Sequence, residues 1–463
     1  MFITCLSEFE SGNSGKNLKE TLRLPIFPVQ SRSGTGGDIS VSRPGTQTDF
    51  IIMVSKNNKK VPFYFRRTPY NTFTLPVLFN TLEQGGWDRY FDFRVIADIR
   101  SLANMEREIP PGILAYSFMT SQMPRVLNEI ARLRKRPEEK PLLLAGGTHV
   151  KGNPEQTLRM GFDAAAAGPG EILLPRICRI LLEDPDRLRG IFRAGSEVDL
   201  DKSLPVSRTI SLIPPLEITR GCHYRCRYCQ TGSQRAVHRS PESVEAYLEA
   251  LSRREYIFRV GYICPSGFEY GAVRPGHPVP EAIEDLLRRT REKGFHHVEF
   301  GIFPSEVRPE TVTPRLLNLI RRICSNRKLC IGAQTGSDKQ LRFLRRGHSL
   351  EAVHQAAAYT QESGLTPVID FILGIPGETG RDQENVLQLM KQLNTRYKAR
   401  NQVHYFLPLA GTPLENSDSA PLVPATIDCL KKYQEDGICT GWWREGLDLS
   451  RQIREAKKII RAG

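Results

Sequence analysis

The sequence predicts an α/β protein: an N-terminal doubly wound, Rossmann-like parallel sheet, then a partial (β/α)6 barrel and a small C-terminal helical appendage. Three observations predict it. Short apolar runs alternate with segments whose apolar residues recur at helical spacing, from about residue 49 to residue 410. The runs are continuously apolar rather than alternating, as in strands buried on both faces of a parallel sheet. Many are followed by glycine-rich turns, and a Pro-containing stretch from Asp199 to Pro215 divides the series in two.

Residues 1–48 are rich in Ser, Gly, Thr and charge, show neither periodicity, and read as a flexible leader. In the first domain, residues 49–195, the strand candidates are Phe50–Val54, Phe93–Ala97, Ile113–Phe118, Leu142–Ala145 and Asp163–Ala167. Helical spacing appears at Thr74–Glu83, Met123–Leu133 and Ile172–Leu182. The second domain, residues 210–410, offers the strands Leu216–Thr219, Phe258–Cys264, His297–Phe303, Leu329–Gln334, Pro367–Leu373 and Val403–Leu407. Helical patterns such as Glu242–Ser252, Pro280–Lys293 and Leu350–Ser363 fall between them. Six such units are too few to close an eight-stranded barrel, so an open barrel is expected. Residues 411–463 form the appendage, whose Trp442 and Trp443 are expected to pack it.

The composition is that of an ordinary globular chain: 463 residues, 40% hydrophobic and 25% charged. No run of eighteen apolar residues occurs, and no basic region with an apolar core opens the chain, so a cytoplasmic protein without a membrane partner is expected. The net charge of +14 is spread over helices rather than gathered in one arm, which reads as solvated helix faces rather than a nucleic-acid site. Of the ten cysteines seven are scattered, mostly in apolar runs; three stand within eight residues. In a reducing compartment such clustering points to metal or redox chemistry.

Those three lie in Glu217-Ile-Thr-Arg-Gly-Cys222-His-Tyr-Arg-Cys226-Arg-Tyr-Cys229, directly after the first strand of the second domain. Thiolates are the soft ligands of iron–sulfur clusters, and three of them leave one iron of a [4Fe–4S] cube without a protein ligand. Zinc is the alternative, but it favours four ligands in paired knuckles, and His223 adjoins Cys222 too closely to close a tetrahedron. The spacing Cys-x3-Cys-x-aromatic-Cys, with Tyr228 as the aromatic, resembles the radical S-adenosylmethionine (SAM) superfamily. Further strand-end segments resemble its branch with an N-terminal cobalamin domain: Phe303–Glu306, Gly332–Ser337, Leu344–His348, Asp370–Thr379 and Pro408–Pro413. The resemblance spans roughly residues 49 to 415.

It implies that Cys222, Cys226 and Cys229 hold the cluster, and that Ser305, Glu306, Gln334, Ser337 and Arg346 line a SAM pocket. A guanidinium at Arg346 suits SAM's carboxylate, and Gly374 and Gly377 would let backbone approach the adenine. The superfamily's contact to the methionine amine has no clear counterpart in Pro265-Ser-Gly-Phe-Glu269 and stays unassigned. Cys264 beside it is expected to be structural.

For the first domain two readings stand, a cobalamin domain and a nucleotide-binding or structural unit. No Gly-x-Gly-x-x-Gly follows its first strand, which argues against dinucleotides. By resemblance, Ser117, Ser121, Gly146, Gly147 and Gly168 would line a cobalamin site. Only the His-x-x-Gly part of the cobalt-ligating motif is present, at His149 and Gly152, so cobalt is expected to lack a histidine ligand. Cluster, SAM and cobalamin together imply a methyltransferase acting on an unactivated carbon, served by a reducing partner such as flavodoxin or ferredoxin. A cobalamin-assisted rearrangement, cyclisation or oxidation is the alternative within enzymes; a non-catalytic cobalamin or redox sensor is the alternative outside them. The substrate is not named by the sequence, and no catalytic side chain is singled out.

Overall fold

The computed structural model describes residues 59–96, 112–135, 140–195, 197–254 and 259–462. The expected leader and the expected strand Phe50–Val54 lie outside the described residues. The first described strand is instead β1 (Val61–Arg66). Its Pro62 and the preceding Lys59-Lys60 disguise it, because proline argues against an interior strand.

β2 (Phe91–Ile96), β3 (Ile113–Ser117), β4 (Leu142–Gly146), β5 (Ala164–Ala167) and β6 (Gly190–Arg193) complete a six-stranded sheet in the order β2-β1-β3-β4-β5-β6. Every pairing in it is parallel. The strand order reverses between β1 and β3, where doubly wound sheets open their ligand crevice. Helices α1 (Thr74–Gln84), α2 (Met123–Arg134), α3 (Thr148–Gly152), α4 (Pro154–Arg159) and α5 (Gly170–Glu183) connect the strands. Leu75, Phe79 and Leu82 of α1 and Leu173 and Ile177 of α5 cover one face of the sheet.

The second domain begins at β7 (Leu216–Glu217) and the short antiparallel pair β8 (Thr219–Arg220) and β9 (Val237–His238). It continues with α6 (Pro241–Ser252), β10 (Arg259–Ile263), α7 (Pro280–Glu292), β11 (His297–Glu299), α8 (Pro314–Ile323) and β12 (Lys328–Gln334). Then come α9 (Asp338–Phe343), α10 (Leu350–Glu362), β13 (Thr366–Leu373), α11 (Gly380–Tyr397) and β14 (Arg400–Tyr405). Two parallel sheets, β11-β10-β7 and one running from β12 through β13 to β14, are joined through a bridge between Val307 and Ile331 into one open arc. Serine and threonine caps start several of these helices: Ser240, Thr313, Ser349 and Thr379 each accept a backbone N–H.

The C-terminal segment does more than append a helix. After α12 (Pro424–Glu435), β15 (Cys439–Thr440) adds a further parallel strand beside β14. The last helix, α13 (Trp443–Ala462), then crosses back to the first domain. Its Ile453, Ala456 and Ile460 pack with Val126, Ile130 and Leu133 of α2, so it helps to cover the second face of the first sheet. Trp443 is buried in the barrel core, as expected of a packing residue. Among the described residues no helix is long and apolar enough to cross a membrane.

Candidate active site between the two sheets

The cysteines ride on a loop held at its neck by the β8–β9 pair. Gly221 opens the loop with φ +81, and a Cβ there would come 2.2 Å from Arg235 O. Gly232 is pinned in the same way, its Cβ position 2.1 Å from Tyr224 O. The Cys222 N–H donates to Gln234 O at 3.1 Å, and the Cys229 N–H to Cys226 O at 3.0 Å. The loop is docked on the segment after α9 by the Arg227 N–H, which donates to Leu344 O at 3.1 Å.

Buried cations converge on the middle cysteine. Nη1 of Arg346 lies 3.6 Å from Cys226 Sγ, and Nη1 of Arg308 lies 3.9 Å from it. Both arginines and Cys226 itself are buried. Arg308 lies over the Tyr224 ring at 3.4 Å and pairs with Glu310 at 2.7 Å. Tyr224 in turn donates to Glu269 Oε1 at 2.9 Å, and the Gly276 N–H donates to the same oxygen at 2.7 Å. Burial pushes the Cys222 thiol up to about 11, and the neighbouring Cys229 and Cys226 add to the rise. A positively charged surround of this kind suits thiolates bound to a metal cluster. Among the described residues, no three His, Cys, Asp or Glu side chains form a preformed metal group, so the thiols share one loop without being drawn together.

The residues expected around SAM fall into two groups. Gln334, at the end of β12, has φ +77, is buried, and leaves its Nε2 without a hydrogen-bond partner among the described residues. Glu306 is pushed up to about 7 by burial and by Asp370. Asp370, buried on β13, keeps Oδ1 without a hydrogen bond, with His404 Nε2 at 3.9 Å. These groups are available to a ligand. The others are engaged within the protein. Arg346 donates to Gly332 O at 2.8 Å, to Tyr228 Oη at 3.3 Å and to His348 Nε2 at 3.2 Å. Its guanidinium is therefore committed to the cysteine loop rather than free to fork onto a carboxylate. The Ser305 hydroxyl donates to Ile302 O and accepts from the Gly301 N–H, and Ser337 caps α9.

Gly374 and Gly377 both adopt left-handed φ, +76 and +79. At Gly374 a Cβ would lie 2.3 Å from the Tyr405 ring, so internal packing alone demands glycine; at Gly377 the space is open. Burial pushes Glu378 up to about 7, even though its Oε2 accepts the Gly374 N–H at 2.7 Å. Cys264 is buried and donates to Ser266 O at 3.1 Å, the structural role expected of it.

In the first domain Ser117, Ser121, Gly146, Gly147 and Gly168 stand at the ends of β3, β4 and β5 or in the loops that follow them. Asn71 ties the switch point together: Nδ2 donates to Arg66 O at 2.8 Å and to Ser117 O at 3.2 Å. Gly147 has φ +98, and a Cβ there would come 2.6 Å from both the N and the O of Phe118. At Gly146 only Tyr116 O lies within 4 Å of the Cβ position, at 3.8 Å, so the protein leaves room for a close approach. Ser121 Oγ is buried without a hydrogen-bond partner among the described residues. Small residues, open backbone and an orphaned hydroxyl fit a large flat ligand such as a corrin.

His149 faces inward. It stacks on Phe118 at 5.1 Å, and its Nδ1 meets Thr120 Oγ1 at 3.1 Å. Burial, with Lys457 adding to it, pushes the imidazole down to about 3, so it is neutral.

The two sets of loops meet. Thr120 Oγ1 accepts the Ala410 N–H at 3.1 Å. Gly152 abuts Ala410, whose O would lie 2.3 Å from a Cβ at that position. Gln230, next to Cys229, donates to Ala410 O at 2.6 Å and to Thr148 O at 3.1 Å. Lys151 reaches Gln234 at 2.6 Å, and Arg220 pairs with Glu171 at 2.8 Å. The carboxyl ends of both sheets thus face one interface. Sequence reasoning missed Gln230, Tyr224 and Arg308. For Arg308 a signal existed, an arginine flanked by Val307 and Pro309 just beyond the strand-end segment Phe303–Glu306.

Comparison with known proteins agrees with this geometry. The family model of the radical SAM superfamily matches residues 216–390, and that of the B12 binding domain matches residues 69–177. An uncharacterized protein of Methanopyrus kandleri is 25% identical over 329 residues, covering 58% of this chain and 61% of the relative. A tRNA-2-methylthio-N(6)-dimethylallyladenosine synthase of Thermus thermophilus is 26% identical over 306 residues, covering 62% of this chain and 60% of the relative. The chain thus matches about 60% of the length of these two relatives.

Among solved structures, the radical SAM methyltransferase TsrM of Kitasatospora setae, with cobalamin and a [4Fe–4S] cluster bound, shares the fold at TM-score 0.55 and 15% identity. That match covers 77% of each chain. The cobalamin-dependent SAM radical enzyme OxsB matches at TM-score 0.56 and 13% identity, over 83% of this chain and 57% of that one. The chain therefore carries a radical SAM domain with a B12-binding domain ahead of it, and these domains imply a [4Fe–4S] cluster with SAM and cobalamin.

Proposed function

We propose that the protein is a cobalamin-dependent radical SAM methyltransferase that acts on an unactivated carbon. One observation carries this reading. Gln230, one residue past Cys229, donates to Thr148 O at the start of α3 in the B12-binding domain, so the cluster loop and the cobalamin loops share one interface. A methyl donor and a radical generator have to act on the same carbon, and only a shared, enclosed interface allows that.

When bound, the cluster and SAM supply a radical able to take hydrogen from carbon, and cobalamin supplies a methyl group for transfer. The chain's own residues do the rest. Cys222, Cys226 and Cys229 hold the cluster, while Arg308 and Arg346 balance the charge of the thiolates. Glu306, Gln334 and Asp370 offer free donors and acceptors to SAM, with Gly377 open to its base. Ser305, Ser337, Arg346 and Gly374 shape that pocket from behind. Ser117, Ser121, Gly146, Gly147 and Gly168 receive the corrin and its tail. His149 stacks on Phe118 and meets Thr120, so it helps to shape the B12-binding domain at this edge. The relative named as an uncharacterized methyltransferase in Pyrococcus horikoshii, 23% identical over 359 residues, supports the same reading.

The test is anaerobic turnover of SAM with reductant and added cobalamin, following 5′-deoxyadenosine and S-adenosylhomocysteine together. Both products are expected. Deoxyadenosine alone, across a range of substrates, would favour rearrangement or oxidation without methyl transfer. Neither product from protein that holds its cluster would contradict an enzymatic role and leave a sensor.

A further inference from the structure

Residues 408–415, the segment that follows β14, touch both sides of the candidate site. On the side of the cluster loop, Leu414 is buried in one apolar cluster with Cys226 and Tyr228. Ala410 O accepts from Gln230 at 2.6 Å. On the side of the B12-binding domain, the Ala410 N–H donates to Thr120 Oγ1 at 3.1 Å. Two glycines let the backbones meet there. A Cβ at Gly411, whose φ is +74, would lie 2.6 Å from Gly152 Cα. The segment is thus a spacer whose thickness is set by backbone alone.

Its position along that contact is fixed by a carboxylate. Glu415 Oε1 accepts from Asn153 Nδ2 at 2.6 Å, and Glu415 Oε2 accepts the Gly411 N–H at 2.8 Å. One side chain therefore ties the segment both to itself and to the other domain. Asn153 is committed at its other end too, since its Oδ1 caps α4 by accepting the Gln156 N–H at 3.0 Å. From behind, Lys457 of α13 donates to Glu415 O at 2.6 Å and to Pro408 O at 3.1 Å, clamping both ends of the segment. Lys457 is buried, and that burial pushes its ammonium below the ordinary lysine range. Burying an ammonium is costly unless its donors are met, and here two carbonyls of the segment meet them.

We propose that Asn153 and Glu415 are positioning residues, whose mutual bond sets how the B12-binding domain sits against the cluster loop. The inference rests on the methyltransferase reading and deepens it. The bond governs whether radical formation is coupled to methyl transfer, and neither residue is needed to hold a cofactor. Two groups that act on one carbon tolerate little error in placement, and a shift of about 1 Å can cost about a hundredfold in rate.

The experiment uses the reconstituted full chain and turns the bond round. Asn153→Asp keeps the size and the capping oxygen of the side chain but sets a second carboxylate against Glu415. Asn153→Asp combined with Glu415→Gln exchanges donor and acceptor and allows the bond again. Cluster iron and cobalamin affinity are the controls, expected within about twofold of the parent in both variants because each cofactor's loops lie within one domain. In the single variant the spin interaction between the reduced cluster and paramagnetic cobalamin is expected to weaken. The S-adenosylhomocysteine formed per 5′-deoxyadenosine is expected to fall at least about tenfold, while deoxyadenosine itself persists. In the double variant both readouts are expected to return. A single variant that matches the parent in both would overturn the proposal. So would a double variant no better than the single one, the result of a merely structural perturbation. Should the unaltered protein form 5′-deoxyadenosine without S-adenosylhomocysteine, the methyltransferase reading fails, and the spin interaction in the two variants decides the positioning role by the same criteria.

Discussion

Around Cys226 the interface is assembled from buried charge, with Arg308 and Arg346 aimed at the thiol and Tyr224, Glu269 and Glu310 fixing the first of them. Across from it, the loops after β3, β4 and β5 present glycines, serine hydroxyls and a histidine that burial keeps neutral. The difference follows from what each side has to hold. A thiolate cluster carries concentrated negative charge and needs fixed counter-charge in a low dielectric. A corrin is wide and flat, so its site needs absent side chains more than present ones.

The comparison breaks most sharply at the cysteines. Cys226→Ala is expected to reduce 5′-deoxyadenosine formation to background while cobalamin affinity, followed by absorbance titration, stays within about twofold, since the cobalamin loops lie in another domain. Parallel loss of both would show that the two sides are not separately built.

The next effect is on stability. Ile453 is fully buried where α13 covers the first domain, so Ile453→Ala should destabilise that domain by about 2–5 kcal/mol. Thermal unfolding followed with cobalamin bound would register it as a lowered midpoint. An unchanged midpoint would mean that the last helix does not support the first domain.

A smaller loss is expected at Gly147. A Cβ there meets the Phe118 backbone at 2.6 Å, and φ +98 is strained for any L side chain. Strain of about 1–3 kcal/mol translates into roughly a tenfold or greater loss of cobalamin affinity for Gly147→Ala. Deoxyadenosine formation should persist. Gly146→Ala, where the protein itself leaves space, is the control that separates lost contact to the ligand from lost fold.

The last effect, and the one that sharpens the contrast, is on pH. His149 has a folded-state value of about 3, below the ordinary 6.5, so its contribution to stability is present above pH 6.5 and is lost as pH falls towards 3. Glu378 is raised from 4.5 to about 7, so its contribution is present below pH 4.5 and is lost as pH rises towards 7. His149→Gln should therefore flatten the acid side of a chemical-denaturation pH profile, and Glu378→Gln the stretch from 4.5 to 7. Identical profiles for both variants and the parent would contradict these environments.

Much of the architecture was legible in periodicity alone. The continuous apolar run Leu142–Ala145 locates β4, and the run Pro367–Leu373, broken by Asp370 alone, locates β13, because a strand buried on both faces has few polar positions to confuse it. What escaped was short, disguised or long-range. β1 is obscured by Pro62, and β15 is only two residues long. The docking of α13 onto α2 joins residues more than three hundred positions apart, which no local pattern encodes. At the site, the cysteine spacing was legible because metal chemistry fixes ligand number and type. Side-chain direction was not. Arg346 looks suited to a ligand carboxylate, yet tertiary packing gives its N–H groups to Gly332, Tyr228, His348 and Cys226. Ser305 and Ser337 likewise look like ribose contacts in the sequence but have local backbone partners.

The central claim is that the cluster loop and the cobalamin loops serve one interface, and the most direct measurement is electron paramagnetic resonance of the fully reconstituted protein. With the cluster reduced and cobalamin in its paramagnetic form, the two spins are expected to interact, seen as splitting or enhanced relaxation absent from samples that hold only one of them. Two independent, superimposable spectra would place the cofactors far apart and contradict the shared site.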